Sequence, residues 1–241
     1  MIVVMNENSV DRKHIMEIIS QAQNDHEIIE NLNISYADLS FLDLSEMMAD
    51  GMEAKNIILR ATSLIEASFL DCNFESADFR NCNLESFNSV DCVFNSANFY
   101  QANMRYARIN VSFFIESCLD EVDFSFGEIM GSSFNYSTFL YANFCGINAK
   151  QATCSESNFS YATLKDGNFE EVSFLHANLT EVEAINTNFA NSDLTGAILK
   201  NGNFNGANFT GAKLENVIWS GANVEEAKFD EGVKEQVLSL L

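Results

Sequence analysis

The groups in this chain that could do chemistry are three His, six Cys and thirty-five carboxylates, and their spacing gives them little to do. A metal site needs ligands that converge at short intervals, such as C-x-x-C. Cys72, Cys82, Cys92, Cys118, Cys145 and Cys154 contain no such pair. His14, His26 and His176 are scattered, and His176, beside Leu175, reads as a surface residue. No glycine-rich phosphate loop or nucleophile elbow occurs. The sequence therefore predicts no catalytic, cofactor-binding or metal-binding residue, and a chain that is not an enzyme.

The stronger signal is a count of five. From Ile34 to Phe229, forty positions stand five apart; seventeen hold Phe and eleven Leu, so most of the chain's twenty-one Phe share one register. A fixed short period marks a solenoid, in which each unit buries its apolar side only by stacking on its neighbours. The residue two before each of these centres is usually small, Ala at fifteen of the forty. Two inward side chains separated by two residues match local strand geometry. The residue just before the centre is Asn fifteen times, which suits side-chain bonding to nearby backbone and outward solvation. Pro is absent, as expected where backbone N–H groups are committed to ladders.

The exceptions fit the same lattice. Where the centre is small, the residue two earlier is large: Met47 with Ala49, Met52 with Ala54, Phe87 with Ser89, Ile147 with Ala149, Val182 with Ala184. Close packing demands such volume compensation. Cys154, behind Ala152, lacks it and is expected to mark a loose spot. Gly196, Gly206, Gly211 and Gly221 fall on the corner of the repeat and read as turn glycines. Most Asp and Glu are expected to point outward from flat walls, with no cleft to prepare them for acid–base work.

The net charge is -22, and the repeat segment alone holds 27 acidic against 10 basic residues. That balance excludes plain binding to nucleic acid or to an anionic membrane. An apolar content of 47% is too high for disorder. No run nears the roughly 18 apolar residues of a membrane span. Met1–Met5 has no basic leader and no long apolar core, so no signal peptide is expected. A cytoplasmic setting with reduced thiols is the default expectation, with a disulfide as the lesser alternative.

The pattern A-(D/N)-(L/F)-x-x is explicit in Ser192-Asp193-Leu194-Thr195-Gly196 and in Ala207-Asn208-Phe209-Thr210-Gly211. It resembles the pentapeptide-repeat proteins over about four-fifths of the chain. The resemblance implies an all-β solenoid, a right-handed quadrilateral β-helix with four pentapeptides per coil. Forty units then give about ten coils and, at about 4.8 Å per coil, a rod about 48 Å long. Residues twenty apart should stack: Phe74, Phe94, Phe114 and Phe134 in one ladder, Cys72 on Cys92 in another.

Three segments are expected: an N-terminal helical cap over 1–31, the β-helix over 32–230, and a C-terminal helix over 231–241. Residues 9–30 read as helical, with Ser9 or Asp11 as cap and Ile15, Ile18, Ile19 and Ala22 on one apolar stripe. Residues 45–56 are the weakest stretch of the lattice and are the candidate for an excursion of two repeat lengths; 145–156 raises a fainter version of the same question. The C-terminal helix either caps the column or dimerises it. Family members often dimerise there, and Trp219, Val233, Val237, Leu238 and Leu241 are the candidate interface.

Two outward features bear on function. The acidity, with the resemblance to members that protect DNA gyrase as duplex mimics, implies a rod that binds a type II topoisomerase. No pair of large loops like those of the plasmid quinolone-resistance members is evident. The rival reading is a scaffold, regulator or effector, of a bacterial developmental kind, docking one protein. Its surface would be the outward apolar residues of the middle coils: Tyr100, Tyr106, Phe113, Phe126, Tyr136, Leu140, Tyr141 and Tyr161.

Overall fold

The five-residue count becomes four-sided coils of twenty residues. The computed structural model describes residues 12–241; Ser9, Asp11 and the Met1–Met5 stretch lie outside them. Helix α1 (Arg12–Asp25) leads into short parallel strands β1 (Ile29–Glu30), β2 (Met48–Asp50), β3 (Ser68–Leu70), β4 (Asn88–Val90) and β5 (Arg108–Asn110), and α2 (Val233–Leu238) closes the chain. The strands pair in sequence order, each residue with the one twenty later, as Ala49 with Phe69. The same register links single residues on every side, from Asn33 with Glu53 to Asn208 with Lys228. The fold is a right-handed quadrilateral β-helix with a helix at each end.

One unit, Ala97–Gln101, accounts for all five of its amides. Ala97 N–H closes the turn onto the Phe94 carbonyl at 3.0 Å, and Asn98 N–H reaches back one coil to Ala77 at 2.9 Å. Phe99 and Gln101 N–H reach forward to Cys118 and Asp120 at 2.7 and 3.1 Å. That leaves Tyr100 N–H, which the Asn98 side chain accepts at 2.9 Å. The Asn before the centre is thus the acceptor for the one amide that the ladders omit. Asn158, Asn178 and Asn208 do the same.

Each corner needs a left-handed residue. All forty corner positions, every fifth residue from Asn31 to Glu226, have φ between about +50° and +74°, and thirty-three of them are not glycine. For an L-residue that conformation costs roughly 1–2 kcal/mol. The inter-coil hydrogen bonds on either side of the corner hold it in place.

The interior is a stack of ladders. Phe74, Phe94, Phe114 and Phe134 stack at 5.3, 4.6 and 4.7 Å between ring centroids. The small inward positions also bond: Ser117, Ser137 and Ser157 each donate to the carbonyl of a centre in the coil before, Phe94, Phe114 and Phe134. Cys72 lies against Cys92, whose Sγ accepts Cys72 N–H at 3.4 Å. All five compensating pairs are buried. So is Cys154; a void of about 10 Å³ lies elsewhere, among Ile34, Leu39, Leu59 and Phe74, where aliphatic centres replace rings.

The ends are covered by side chains as well as by helices. In later coils, carbonyls such as those of Arg60 and Ile65 accept amides from the preceding coil. The first coil has no predecessor, and Arg12 and Gln23 of α1 donate to its Ser40 and Ser45 carbonyls at 3.1 and 2.8 Å. Ile15, Ile18, Ile19 and Ala22 are buried. At the other end, Asp230 Oδ2 accepts Gly211 N–H at 2.9 Å, and Lys234 Nζ donates to the Ala227 carbonyl.

Two expectations need correcting. No excursion occurs at 45–56: β2 lies within it, and Glu53 bridges both Asn33 and Asn73. Met47 and Met52 supply the volume that Ala49 and Ala54 lack, so the lattice holds; 145–156 is likewise in register, through Asn148 and Thr153. At the C-terminus, Trp219 is only 2% exposed and packs edge-on to Phe204, Phe209 and Phe229. It is a lattice centre, and a centre faces inward. Val237 is buried over the last coil and Val233 is half-buried, whereas Leu238 and Leu241 are exposed.

Candidate functional site

The surface divides into four edges, made by the left-handed corner residues, and four walls between them. The register stacks each edge from residues twenty apart. The first edge runs through Tyr36, Tyr136 and Glu156, and the second through Phe41, Tyr141 and Tyr161. The third carries Tyr106 and Phe126, and the fourth Asp71, Asp91 and Val111.

Charge is segregated on this frame. The edges carry eleven carboxylates and no Lys or Arg, while all ten cations of the repeats stand on the walls. Seven of the wall cations pair with carboxylates, among them Lys55 with Glu75 at 3.1 Å, Lys213 with Asp193 at 2.9 Å, and Arg60 and Arg80 both with Asp78. Burial disfavours ionisation of Asp78, but hydrogen bonds from Arg80 and Arg60 outweigh it and hold its pKa at about 2. Among the described residues, Glu171 is the one edge carboxylate in an ion pair, with Lys150 at 3.6 Å.

Among the described residues, no group of three His, Cys, Asp or Glu stands where it could hold a metal ion. The His176 ring lies against Gly196 of the next coil, too close to leave room for a Cβ there. Burial pushes the Cys82 thiol up to about 12, and its Sγ faces the Leu59 carbonyl. Such a thiol is inert at neutral pH.

The eight apolar residues expected outside do not form one patch. Tyr136 is on the first edge, Tyr141 and Tyr161 on the second, with Leu140 and Tyr100 on the wall between. These five lie on one face. Tyr106 and Phe126 stand a wall away, on the third edge, and Phe113 is on the wall between the fourth and first edges. Phe113 takes the place of a capping Asn; Asn95 of the preceding coil accepts Ile115 N–H at 2.9 Å instead.

The two ring pairs differ. Tyr106 and Phe126 stack at 5.7 Å, and Arg105 lies over both, 5.4 and 5.9 Å from their centroids. Gly146, next on that edge, fits against Phe126, with no room for a Cβ. Tyr141 and Tyr161 stack at 4.9 Å, are 60% and 44% exposed, and have no cation over them among the described residues. Tyr100, half-buried, donates its hydroxyl to Glu121 at 3.0 Å.

Sequence reasoning missed Tyr36 and Phe41, which are 76% and 79% exposed at corners of the first coil. The signal was present: each stands two after a centre, as Tyr136 and Tyr141 do.

A family model of pentapeptide repeats matches residues 57–88, 72–110, 139–174, 173–211 and 207–231, in eight copies. Among solved structures, the chain is similar to HetL, a pentapeptide repeat protein involved in heterocyst differentiation regulation in the cyanobacterium Nostoc sp. strain PCC 7120. Identity is 18% over 89% of this chain and 96% of that one, with a TM-score of 0.39. It is also similar to a trypsin-treated form of QnrB1, a plasmid-mediated fluoroquinolone resistance protein. Identity there is 17% over 88% of this chain and 96% of that one, with a TM-score of 0.45. No curated protein sequence matches the chain.

Proposed function

The chain belongs to the pentapeptide-repeat family, and from that premise we propose that it is a non-enzymatic rod that binds a protein partner through its outer face. The observation that supports this is the Tyr141–Tyr161 pair with Tyr136 and Leu140 beside it. Solvent-exposed rings add little to folding, and here they occupy a backbone conformation that glycine takes more cheaply, as at Gly131 and Gly146. Stacked tyrosines do offer rigid contact area at low entropic cost. All six cysteines are free, which fits a reducing, cytoplasmic setting. No described helix is long and apolar enough to cross a membrane.

The test is capture from extract of the native host at about 1 M salt, where screening acts within about 3 Å. The reading expects a protein retained by the wild-type chain and lost from Tyr141→Ser/Tyr161→Ser. Retention of the same proteins by both chains contradicts it.

A second reading, an acidic duplex mimic that binds a type II topoisomerase such as DNA gyrase, is favoured by the unpaired edge carboxylates. A duplex as long as the rod, about 48 Å, carries about 28 phosphates; the edges carry eleven carboxylates, and the wall with Arg60 and Arg80 is not acidic. This reading expects protection or inhibition of gyrase supercoiling that fades with salt, an antibiotic-resistance activity. Gyrase left untouched at low salt ends it. A homodimer through the C-terminus would have to be built on Leu238 and Leu241, because Trp219 and Val237 are enclosed.

A further inference from the structure

We propose that the face bounded by Tyr136 and the Tyr141–Tyr161 pair takes an arginine-bearing segment of a protein partner. The inference rests on the docking reading above and narrows it to the chemistry of the occupant.

Two observations carry it. The first is charge. On the second edge Glu121 precedes Tyr141 and Glu181 follows Tyr161, each one coil away; on the first edge Glu116 and Glu156 flank Tyr136 in the same way. None of the four joins an ion pair among the described residues, and the wall rows between them, Cys118/Asp120, Thr138/Leu140 and Asn158/Ser160, carry no cation. An apolar centre is thus framed by four carboxylates that no cation neutralises, although Glu121 already accepts hydrogen bonds from Tyr100 and Gln101 at 3.0 and 2.7 Å.

The second is a precedent within the chain. On the third edge the residue just before Tyr106 is Arg105, whose guanidinium covers the Tyr106–Phe126 pair and reaches Asp123 at 3.6 Å. The equivalent residues on the second edge, just before Tyr141 and Tyr161, are Leu140 and Ser160. The outer pair has the rings and the carboxylates but not the cation. A guanidinium is the group that completes it, since it stacks flat on an aromatic face while its N–H fork meets a carboxylate. An ammonium can do only one of these well.

The probes are labelled oligoarginine and oligolysine peptides of equal length, titrated by fluorescence anisotropy into the full chain at physiological salt. The expected result is at least about tenfold tighter binding of oligoarginine, about 1.4 kcal/mol. Tyr141→Ser/Tyr161→Ser, which leaves net charge unchanged, should abolish that preference. Neutralising carboxylates distant on the third and fourth edges (Glu46→Gln, Glu66→Gln, Asp71→Asn, Asp91→Asn) should weaken both peptides alike and leave the preference intact. Equal affinities on the wild-type chain, or a preference that survives the tyrosine variant, overturns the proposal. If it falls while host-partner capture still depends on both tyrosines, only the guanidinium assignment is lost. An unchanged melting temperature for the serine variant separates loss of binding from loss of fold.

Discussion

Tyr141 and Tyr161 stand one coil apart on a single edge of the column, their ring planes 14° from parallel. The relationship follows from a twenty-residue register that returns the chain to the same corner at strand spacing. The rule that piles Phe74, Phe94, Phe114 and Phe134 in the interior therefore builds an outer stack wherever two corners one coil apart are aromatic. Inside, stacking holds the column; outside, it presents a surface.

Phe94 tests the inner ladder. It is fully buried between Phe74 and Phe114. Phe94→Ala should cost about 3–5 kcal/mol and Phe94→Leu about 1–2 kcal/mol, measured by urea unfolding. Equal, small losses would mean that the interior does not depend on the ring.

Asn98 tests the acceptor role. Asn98→Ala leaves Tyr100 N–H without its acceptor and should cost about 1 kcal/mol, whereas Asn98→Asp keeps an oxygen in place and should be close to neutral. Thermal unfolding of the two variants compares them directly.

Asp78 gives a pH dependence. Its folded pKa of about 2 lies below the ordinary 3.8. The ionised form is thus favoured by folding, and the contribution is complete above about pH 4 and lost as pH falls towards 2. After solvent screening it is on the order of 1 kcal/mol. Asp78→Asn should melt below wild type at neutral pH, with the gap closing near pH 2. A gap that persists there would assign the effect to packing.

The thiols report on enclosure. Cys72, Cys82, Cys92 and Cys154 are buried, while Cys118 and Cys145 are partly exposed. A thiol reagent should label only the latter two in the native chain and all six after denaturation. Prompt labelling of Cys82 would show that the column opens.

Much of this was legible in the residues. Centres such as Phe94 and Phe139 announced themselves because burial selects for large apolar side chains, and Asn98 or Asn208 because one amide per unit lacks a ladder partner. Other features were not, because they depend on relations between coils. That Tyr141 sits in a left-handed corner follows from ladder geometry, not from its own identity. Phe113 could replace a capping Asn only because Asn95 stands one coil back. Trp219 looked like an interface residue by type, but its lattice position, which faces inward, was the better guide. Likewise, Tyr106 and Phe113 group with Tyr141 as outward apolar residues of the middle coils, and the register sets them on other sides of the column.

The most direct measurement pairs stability with binding in Tyr141→Gly/Tyr161→Gly. Glycine relieves roughly 1–2 kcal/mol of left-handed strain per site, against about 0.5–1 kcal/mol of added chain entropy and a lost exposed ring contact. The account predicts a melting temperature no lower than wild type together with loss of the salt-resistant partner. A clear fall in melting temperature with the partner still held would mean that the tyrosines serve the column and not its function.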